Sequence, residues 1–271
     1  MGFHSKDCVL AQASSVRSVD RALQLLASVS VHGSTLSDLA AACDLPIATA
    51  HRLVDTLLAA GYLRRTEDVG TLVLGPKVTL LAYKIDALAH SRWLVRDSLL
   101  RLRDEVGETS AFFLPDRCER VCVDSYESMH PVMVTCPPGK RFPLHVGSTG
   151  KAILAFMAPE QVDRILESLD DPIQLTNGQT KTVEALRHEL GEVRESGYAT
   201  SALEATSGAW GVGCPVFGSD GSLFGAIGFI IPITRRSTDL EEELTQACLK
   251  GASSLSDALM MISEEVNPDK V

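Results

Sequence analysis

Residues 147–152 read Gly-Ser-Thr-Gly-Lys-Ala, a glycine-rich turn ending in a lysine, and the first chemistry to test there is phosphate binding. A phosphate loop needs glycine five positions before its Gly-Lys pair, and that position holds His145. Ala152 also stands where Ser or Thr must hold magnesium, so the spacing argues against a nucleotide site. A smaller claim survives. Ser148, Thr149 and Gly150 open a helix, whose leading N–H groups and positive dipole end favour an anion such as a carboxylate. Simple helix capping is the other use of the same residues.

The remaining reactive side chains are scattered. His145 could touch a ligand or a metal, but a single histidine is more often a packed hydrogen-bonding residue. Cys118 and Cys122 would be close neighbours only on a helix; their segment alternates as a strand does, which sets them about 13 Å apart at roughly 3.3 Å per residue. Cys214 precedes Pro215 with neither a base nor a nucleophile elbow beside it, so a buried thiol or a pocket lining is the plainer reading. Glu204 precedes the polar stretch Ala205-Thr206-Ser207-Gly208, where a surface acid is the ordinary reading. No His, Cys, Asp and Glu set converges, so the expectation is no metal, no cofactor and no catalytic group. The seven cysteines, at 8, 43, 118, 122, 136, 214 and 248, are odd in number and contain no Cys-x-x-Cys pair. Reduced thiols and a cytoplasmic location are expected. Residues 1–14 read as a disordered lead with neither signal-peptide nor myristoylation pattern, and no apolar run reaches the roughly 18 residues a membrane span needs.

The elements that would position these residues fall into two sets. Over 34–61 the pattern is helix, tight turn, helix. Thr35 can cap the first helix, with Asp38 three residues on, and Leu36, Leu39 and Ala40 form its apolar face. Asp44-Leu45-Pro46 makes the turn, and the second helix places Ile47, Ala50, Leu53, Val54, Leu57 and Leu58 on one stripe. Ala48, Thr49, His51, Arg52, Asp55 and Thr56 are left outside. Gly61 ends that helix, and Tyr62–Arg65 and Thr71–Leu74 flank a polar turn as a hairpin. This is the outline of a winged helix-turn-helix, whose second helix enters the DNA major groove. A preceding helix over 16–29 would pack Val16, Val19, Leu23 and Leu26 beneath it, with Arg17 and Arg21 on one side, either within reach of a phosphate or simply solvated.

Charge restricts how DNA could be held. The chain carries a net charge of −10, and its first 75 residues hold six cationic against seven acidic side chains. Affinity would rest on a few placed arginines, Arg64 and Arg65 of the wing among them. After Gly75-Pro76, a linker helix is expected to about residue 90 and a second helix over 91–106, the linker's Leu80, Leu81, Ile85 and Leu88 facing a second subunit. From Thr109 the pattern turns to strands at 109–115, 120–127, 131–136, 199–204, 209–217 and 222–232. Helices are expected over 149–157, 160–168, 182–197 and 240–264, with Ser219-Asp220-Gly221 as a hairpin turn. The fold class is therefore α+β.

The stretches SVDRALQLLA, DLPIATAHRLVDTLLAAGYL and LGPKV resemble the DNA-binding half of the IclR-type bacterial transcriptional regulators. GKRFPLHVGSTGKAILA, ESGYATSALEATSGAWGVGCPVF and GAIGFIIP resemble that family's effector-binding half, so the likeness runs from Ser15 to Ser263. The chain departs from the family at Asp44, where glycine is usual, and at Ile47 and Ala48, where Lys and Ser are usual. The resemblance implies a DNA-binding domain over 15–75, a linker helix over 76–90 and a GAF-like effector domain over 91–266. It also implies a homodimer or dimer of dimers on a palindromic double-stranded operator, controlled by a small organic, possibly aromatic, acid. The DNA-contacting set would be Arg17, Arg21, Thr35, Ile47, Ala48, Thr49, His51, Arg52, Arg64 and Arg65. The effector set would be Met133, Phe142, Leu144, His145, Ser148, Thr149, Gly150, Glu204, Cys214, Gly228 and Ile230. The rival reading is an enzyme, or a GAF-like sensor without DNA binding.

Overall fold

The computed structural model describes residues 16–265 apart from 31, 67–70, 85 and 219, with the side chains of 82–90 and 262–265 also left aside. The expectations for residues 1–14, the wing tip, Ile85 and Leu88 of the linker, Ser219 and the Ile262 side chain lie outside the described residues. The chain divides into two compact units, one ending at Ala89 and the next beginning at His90.

The first unit holds α1 (Arg17–Ala27), α2 (Leu36–Ala42), α3 (Ile47–Ala59) and the hairpin β1 (Leu63–Arg65) and β2 (Leu72–Leu74). Its core is Leu25, Leu39, Ala40, Ala50, Val54, Leu57, Leu63 and Leu72. Thr35 and Asp38 close a reciprocal capping box at the start of α2. Asp44 takes a left-handed φ of 50° in the turn, a conformation Asp tolerates better than most side chains. Two apolar expectations are corrected. Val16, Val19 and Leu23 of α1 are 64%, 55% and 60% exposed, and Leu25 is the residue that α1 buries. Periodicity identifies residues that share a face but not whether a neighbour covers that face. Ile47 is 52% exposed, because the buried stripe of α3 begins at Ala50.

α4 (Pro76–Lys84) and α5 (Asp86–Val106) follow. The helix break expected near Ser91 is absent: α5 runs through that residue, which is buried.

In the second unit β3 (Thr109–Asp116), β4 (Glu119–Tyr126) and β5 (Arg141–Pro143) lead to α6 (Ser148–Phe156) and α7 (Pro159–Glu167). A two-residue pair, β6 (Ile173–Gln174) and β7 (Thr180–Lys181), precedes α8 (Val183–Ser196). Then come β8 (Ala199–Ala202), β9 (Ala209–Phe217), β10 (Leu223–Pro232) and α9 (Thr238–Glu265). Six strands form one antiparallel sheet in the order β5-β4-β3-β10-β9-β8. The strand expected over 131–136 is irregular chain, and the place beside β4 is taken by β5, with Arg120 opposite Phe142. Pro131 removes a ladder donor from the rejected segment, and Pro137 and Pro138 follow directly after it.

Strand alternation gives the sheet two cores. Val212, Cys214 and Val216 of β9 and Ile227, Phe229 and Ile231 of β10 join α5 and α9. Phe113, Leu144, Ile153, Leu154, Leu186 and Leu190 pack on the opposite face with α6 and α8. Bare backbone lets α6 lie close there: a Cβ on Gly213 would meet the Thr149 nitrogen at 2.6 Å, and one on Gly228 would meet Thr149 Cγ2 at 2.7 Å. Cys43, Cys122, Cys136, Cys214 and Cys248 are free thiols, whereas Cys118 is disulfide-bonded, which corrects the expectation of reduced cysteines throughout. Among the described residues no helix is long and apolar enough to cross a membrane.

Candidate functional site

On the first unit, α3 presents Ile47, Ala48, His51 and Arg52 to solvent, with Thr49 half-buried. His51 Nδ1 sits 2.9 Å from Asp55, and Thr56 donates back to the Arg52 carbonyl at 2.9 Å, so Arg52 projects from a regular helical turn. Arg17 and Arg21 are exposed on α1. Thr35 lies exposed at the start of α2, where its hydroxyl donates to Asp38 at 2.7 Å and accepts from the Asp38 N–H at 3.2 Å. The Thr35 hydroxyl and, at 3.0 Å, the Thr35 N–H both donate to the Asp38 carboxylate and hold it below its usual range. Arg64 and Arg65 are both exposed on β1, opposite Val73 and Leu72. Successive strand residues point to opposite faces, so the two arginines leave the hairpin on different sides.

The second unit contains a cleft where the start of α6 meets β4, β5, β9 and the 201–206 loop. Phe113, Phe142, Val134 and Ile230 give it apolar walls, and Arg120, Lys140, Ser201 and Thr206 give it polar ones. Arg120 is its dominant charge. The side chain is 3% exposed, on the inward face of β4. Its guanidinium lies 5.5 Å and 5.0 Å from the Phe113 and Phe142 ring centres. Nη1 donates to the carbonyls of Pro143 and, at 2.8 Å, Val146. Nε is buried without a partner. Burial pushes the guanidinium down to about 10, against the opposing pull of Cys136 and Glu204.

The α6 start is not an empty anion seat. Gly147 N–H donates to Glu204 Oε2 at 2.9 Å and Ser148 N–H to Ser201 Oγ at 2.9 Å. Glu204 Oε1 takes Lys151 Nζ at 3.0 Å and Lys181 Nζ at 3.1 Å, and Glu189 bridges the same lysines at 3.1 and 2.7 Å. Burial raises the Glu204 carboxyl, but Lys151, Lys181 and the Gly147 N–H outweigh it and leave the group below the usual range. The chain's own carboxylate thus fills the place predicted for a ligand's.

The structure sorts the predicted effector residues. Phe142, Ser148, Thr149, Glu204 and Ile230 line the cleft. Leu144 is fully buried in the core under α6. Gly150 is the gap into which the Arg120 guanidinium fits. Cys214 faces the α9 core, on the far side of the sheet. Gly228 makes room for Thr149 rather than for a ligand. Met133 is 38% exposed beside Val134, which does line the cleft. His145 does not line it either; burial first, and Arg120 second, lower its imidazole to about 4, so it is neutral near pH 7. Sequence reasoning missed Arg120, Lys151, Lys181 and Glu189. Two of these left a signal. Arg120 has the parity of the buried Cys122, and Lys151 interrupts the apolar run of α6; an ionic group at an inward position needs a partner or a ligand.

Two family models match this chain: the IclR helix-turn-helix domain over residues 18–67 and the bacterial transcriptional regulator IclR C-terminal domain over residues 91–257. The chain belongs to the IclR family of bacterial transcriptional regulators. It is similar to the transcriptional repressor IclR of Escherichia coli, 26% identical over 245 residues that cover 89% of each chain. It is also similar to the regulator BhcR of Paracoccus denitrificans, 28% identical over 244 residues, 89% of this chain and 86% of that one. Among solved structures, an IclR homologue from Microbacterium hydrocarbonoxydans, complexed with 4-hydroxybenzoate, superposes with a TM-score of 0.75 at 23% identity, covering 90% of this chain and 99% of that one. The family assignment makes this chain a DNA-binding transcriptional regulator with a GAF-like C-terminal domain, in place of the sensor without DNA binding. Among the described residues no group of His, Cys, Asp and Glu could hold a metal ion.

Proposed function

We propose that this IclR-type regulator adjusts its hold on a palindromic operator when a small aromatic monocarboxylic acid enters the Arg120 cleft, and that it performs no chemistry on that acid. The observation that carries the reading is the unpartnered Nε of Arg120, a cation 3% exposed between two aromatic rings. A buried cation with a spare donor is costly until an anion pairs with it. Glu204 is already neutralised by Lys151 and Lys181, so the cleft retains the positive charge of Arg120 and Lys140. Phe113 and Phe142 offer rings against which an aromatic body stacks. The 4-hydroxybenzoate held by the Microbacterium homologue has this chemistry.

On the DNA side, Arg52, Thr49, His51, Ala48 and Ile47 meet the major groove, while Arg17, Arg21 and one wing arginine meet phosphates. The protein acts in the cytoplasm as a homodimer or a dimer of dimers, because a palindromic site presents two equivalent half-sites. Retardation of the protein's own upstream DNA tests the reading. Benzoate should change the retardation and benzamide, which lacks the charge, should not. Equal effects of the two compounds would reject the carboxylate reading.

A further inference from the structure

Two pairs of cysteines lie together inside the second unit, and their surroundings differ. Cys214 and Cys248 are fully buried between the sheet and α9, where the Cys248 thiol donates to the Ile227 carbonyl at 3.5 Å. The hydrogen bond between these thiols and their burial push the Cys248 thiol up. Neither residue lines the Arg120 cleft.

Cys122 and Cys136 are different. Cys122 shares the inward face of β4 with Arg120, two residues away. The 136–140 segment is tied to it: Cys122 N–H donates to the Lys140 carbonyl at 2.9 Å, and Gly139 N–H to the Cys122 carbonyl at 2.7 Å. The Cys122 thiol reaches the Cys136 carbonyl at 3.3 Å, and the two side chains hydrogen-bond to each other. Cys136 lines the cleft with Arg120 and Lys140, although it is only 1% exposed, so an oxidant that enters the cleft comes up against this segment. The Cys122 hydrogen bond, then Lys140 and Arg120, outweigh burial and hold the Cys136 thiol below its usual range, while Cys122 is raised. A thiol whose pKa is lowered by nearby cations, with a second thiol beside it, is the arrangement of an oxidisable pair.

We propose that Cys136 and Cys122 form a peroxide-reactive dithiol in the wall of the cleft, with Cys136 attacking and Cys122 resolving. The Cys136 thiolate attacks a hydroperoxide oxygen. The S–O bond forms as the O–O bond breaks, giving a sulfenic acid and an alkoxide or hydroxide that takes up the proton the thiol had lost. Cys122 sulfur then attacks the sulfenic sulfur. The S–S bond forms, the S–O bond breaks, and the departing hydroxide leaves as water with the Cys122 proton. Two thiols lose two electrons and the peroxide gains them. The disulfide would clamp the 136–140 segment to β4, so the oxidant acts on the cleft assigned above to the acid. The sulfur chemistry stands on the thiol geometry alone; only its shielding by an acid rests on that assignment.

The test treats the full-length protein with hydrogen peroxide and maps its cysteines by mass spectrometry without reduction. A cross-link between the Cys122 and Cys136 peptides is expected, with Cys214 and Cys248 still alkylated after denaturation. Cys136→Ser should abolish the cross-link, and the remaining Cys122 should oxidise at least about tenfold more slowly than the native pair. Cys122→Ala should leave a sulfenic acid on Cys136 that dimedone traps. Absence of the cross-link in the native protein, together with no dimedone adduct in Cys122→Ala, overturns the proposal. So does oxidation of Cys214 and Cys248 at an equal rate. Saturating benzoate should slow the reaction; a cross-link that forms equally fast with benzoate present upholds the dithiol and contradicts the acid reading.

Discussion

The exposed face of α3 and the cleft behind α6 solve opposite problems. On α3 the polar side chains stand in solvent and depend on little besides the helix that carries them; apart from the His51–Asp55 contact, each has few obligations to its neighbours. In the cleft, Arg120, Lys151, Lys181, Glu189 and Glu204 are held by one another and by backbone groups. A reading surface must leave its donors free for a partner that supplies the acceptors. A buried site must satisfy its charges within the fold and keep back only what the ligand will use. Substitutions on α3 should therefore change recognition while leaving stability alone, and substitutions around the cleft should change both.

The largest separation is expected at Glu204. Glu204→Ala leaves Lys151 and Lys181 facing only Glu189 and should destabilise the second unit by roughly 3–5 kcal/mol, the usual consequence of breaking a buried ion pair. Urea unfolding measures it, and a loss below about 1 kcal/mol would mean that the network is solvated like a surface pair.

Acid sensitivity comes next. His145 has its pKa lowered from 6.5 to about 4 in the folded chain, so the unfolded chain takes up the proton first. Stability from this group is complete above pH 6.5 and declines as pH falls toward 4, by up to about 3 kcal/mol at 1.36 kcal/mol per unit. His145→Asn should flatten the pH profile of unfolding in that window, and an unchanged slope would contradict the assignment.

On α3 the effects are smaller and confined to recognition. Arg52→Ala should cost roughly 1–3 kcal/mol of discrimination at one base pair, read by a binding-site selection, with the unfolding midpoint unmoved. A large loss of stability instead would place Arg52 in the structure rather than on the DNA. The smallest effect is at the wing. Because Arg64 and Arg65 leave β1 on opposite faces, only one should contact phosphate. Replacing that one should lower the salt slope by about 0.9, and replacing the other should leave the slope alone. Equal changes from both would refute the strand geometry.

The same contrast explains how much was legible in the sequence. The helix-turn-helix is built from contiguous residues, so capping at Thr35, the turn at Asp44 and the stripe from Ala50 to Leu57 could be read from spacing. Spacing did not say what covers an apolar face, and Val16, Val19 and Leu23 were misjudged for that reason. The cleft draws on β4, β5, α6, β9 and the 201–206 loop, which meet only through sheet topology. The start of α6 was recognised as attractive to an anion, yet the anion that occupies it is Glu204, more than fifty residues away. Cys214 was assigned to the pocket because strand parity relative to α6 was not fixed by local pattern, whereas Gly228 does face α6 but its space is taken by Thr149. The strand expected over 131–136 fails, with Pro131 at its start and Pro137-Pro138 directly after it, and β5 takes the edge position.

The central claim is that Arg120 seats the carboxylate of the effector. Calorimetric titration of benzoate into wild-type protein and Arg120→Gln tests it, with circular dichroism confirming that the variant is folded. The account predicts saturable binding to wild type that weakens as pH rises through about 10, where Arg120 loses its proton, and a loss of at least about tenfold in affinity for the variant. Native affinity in Arg120→Gln would contradict the account and put the acid elsewhere.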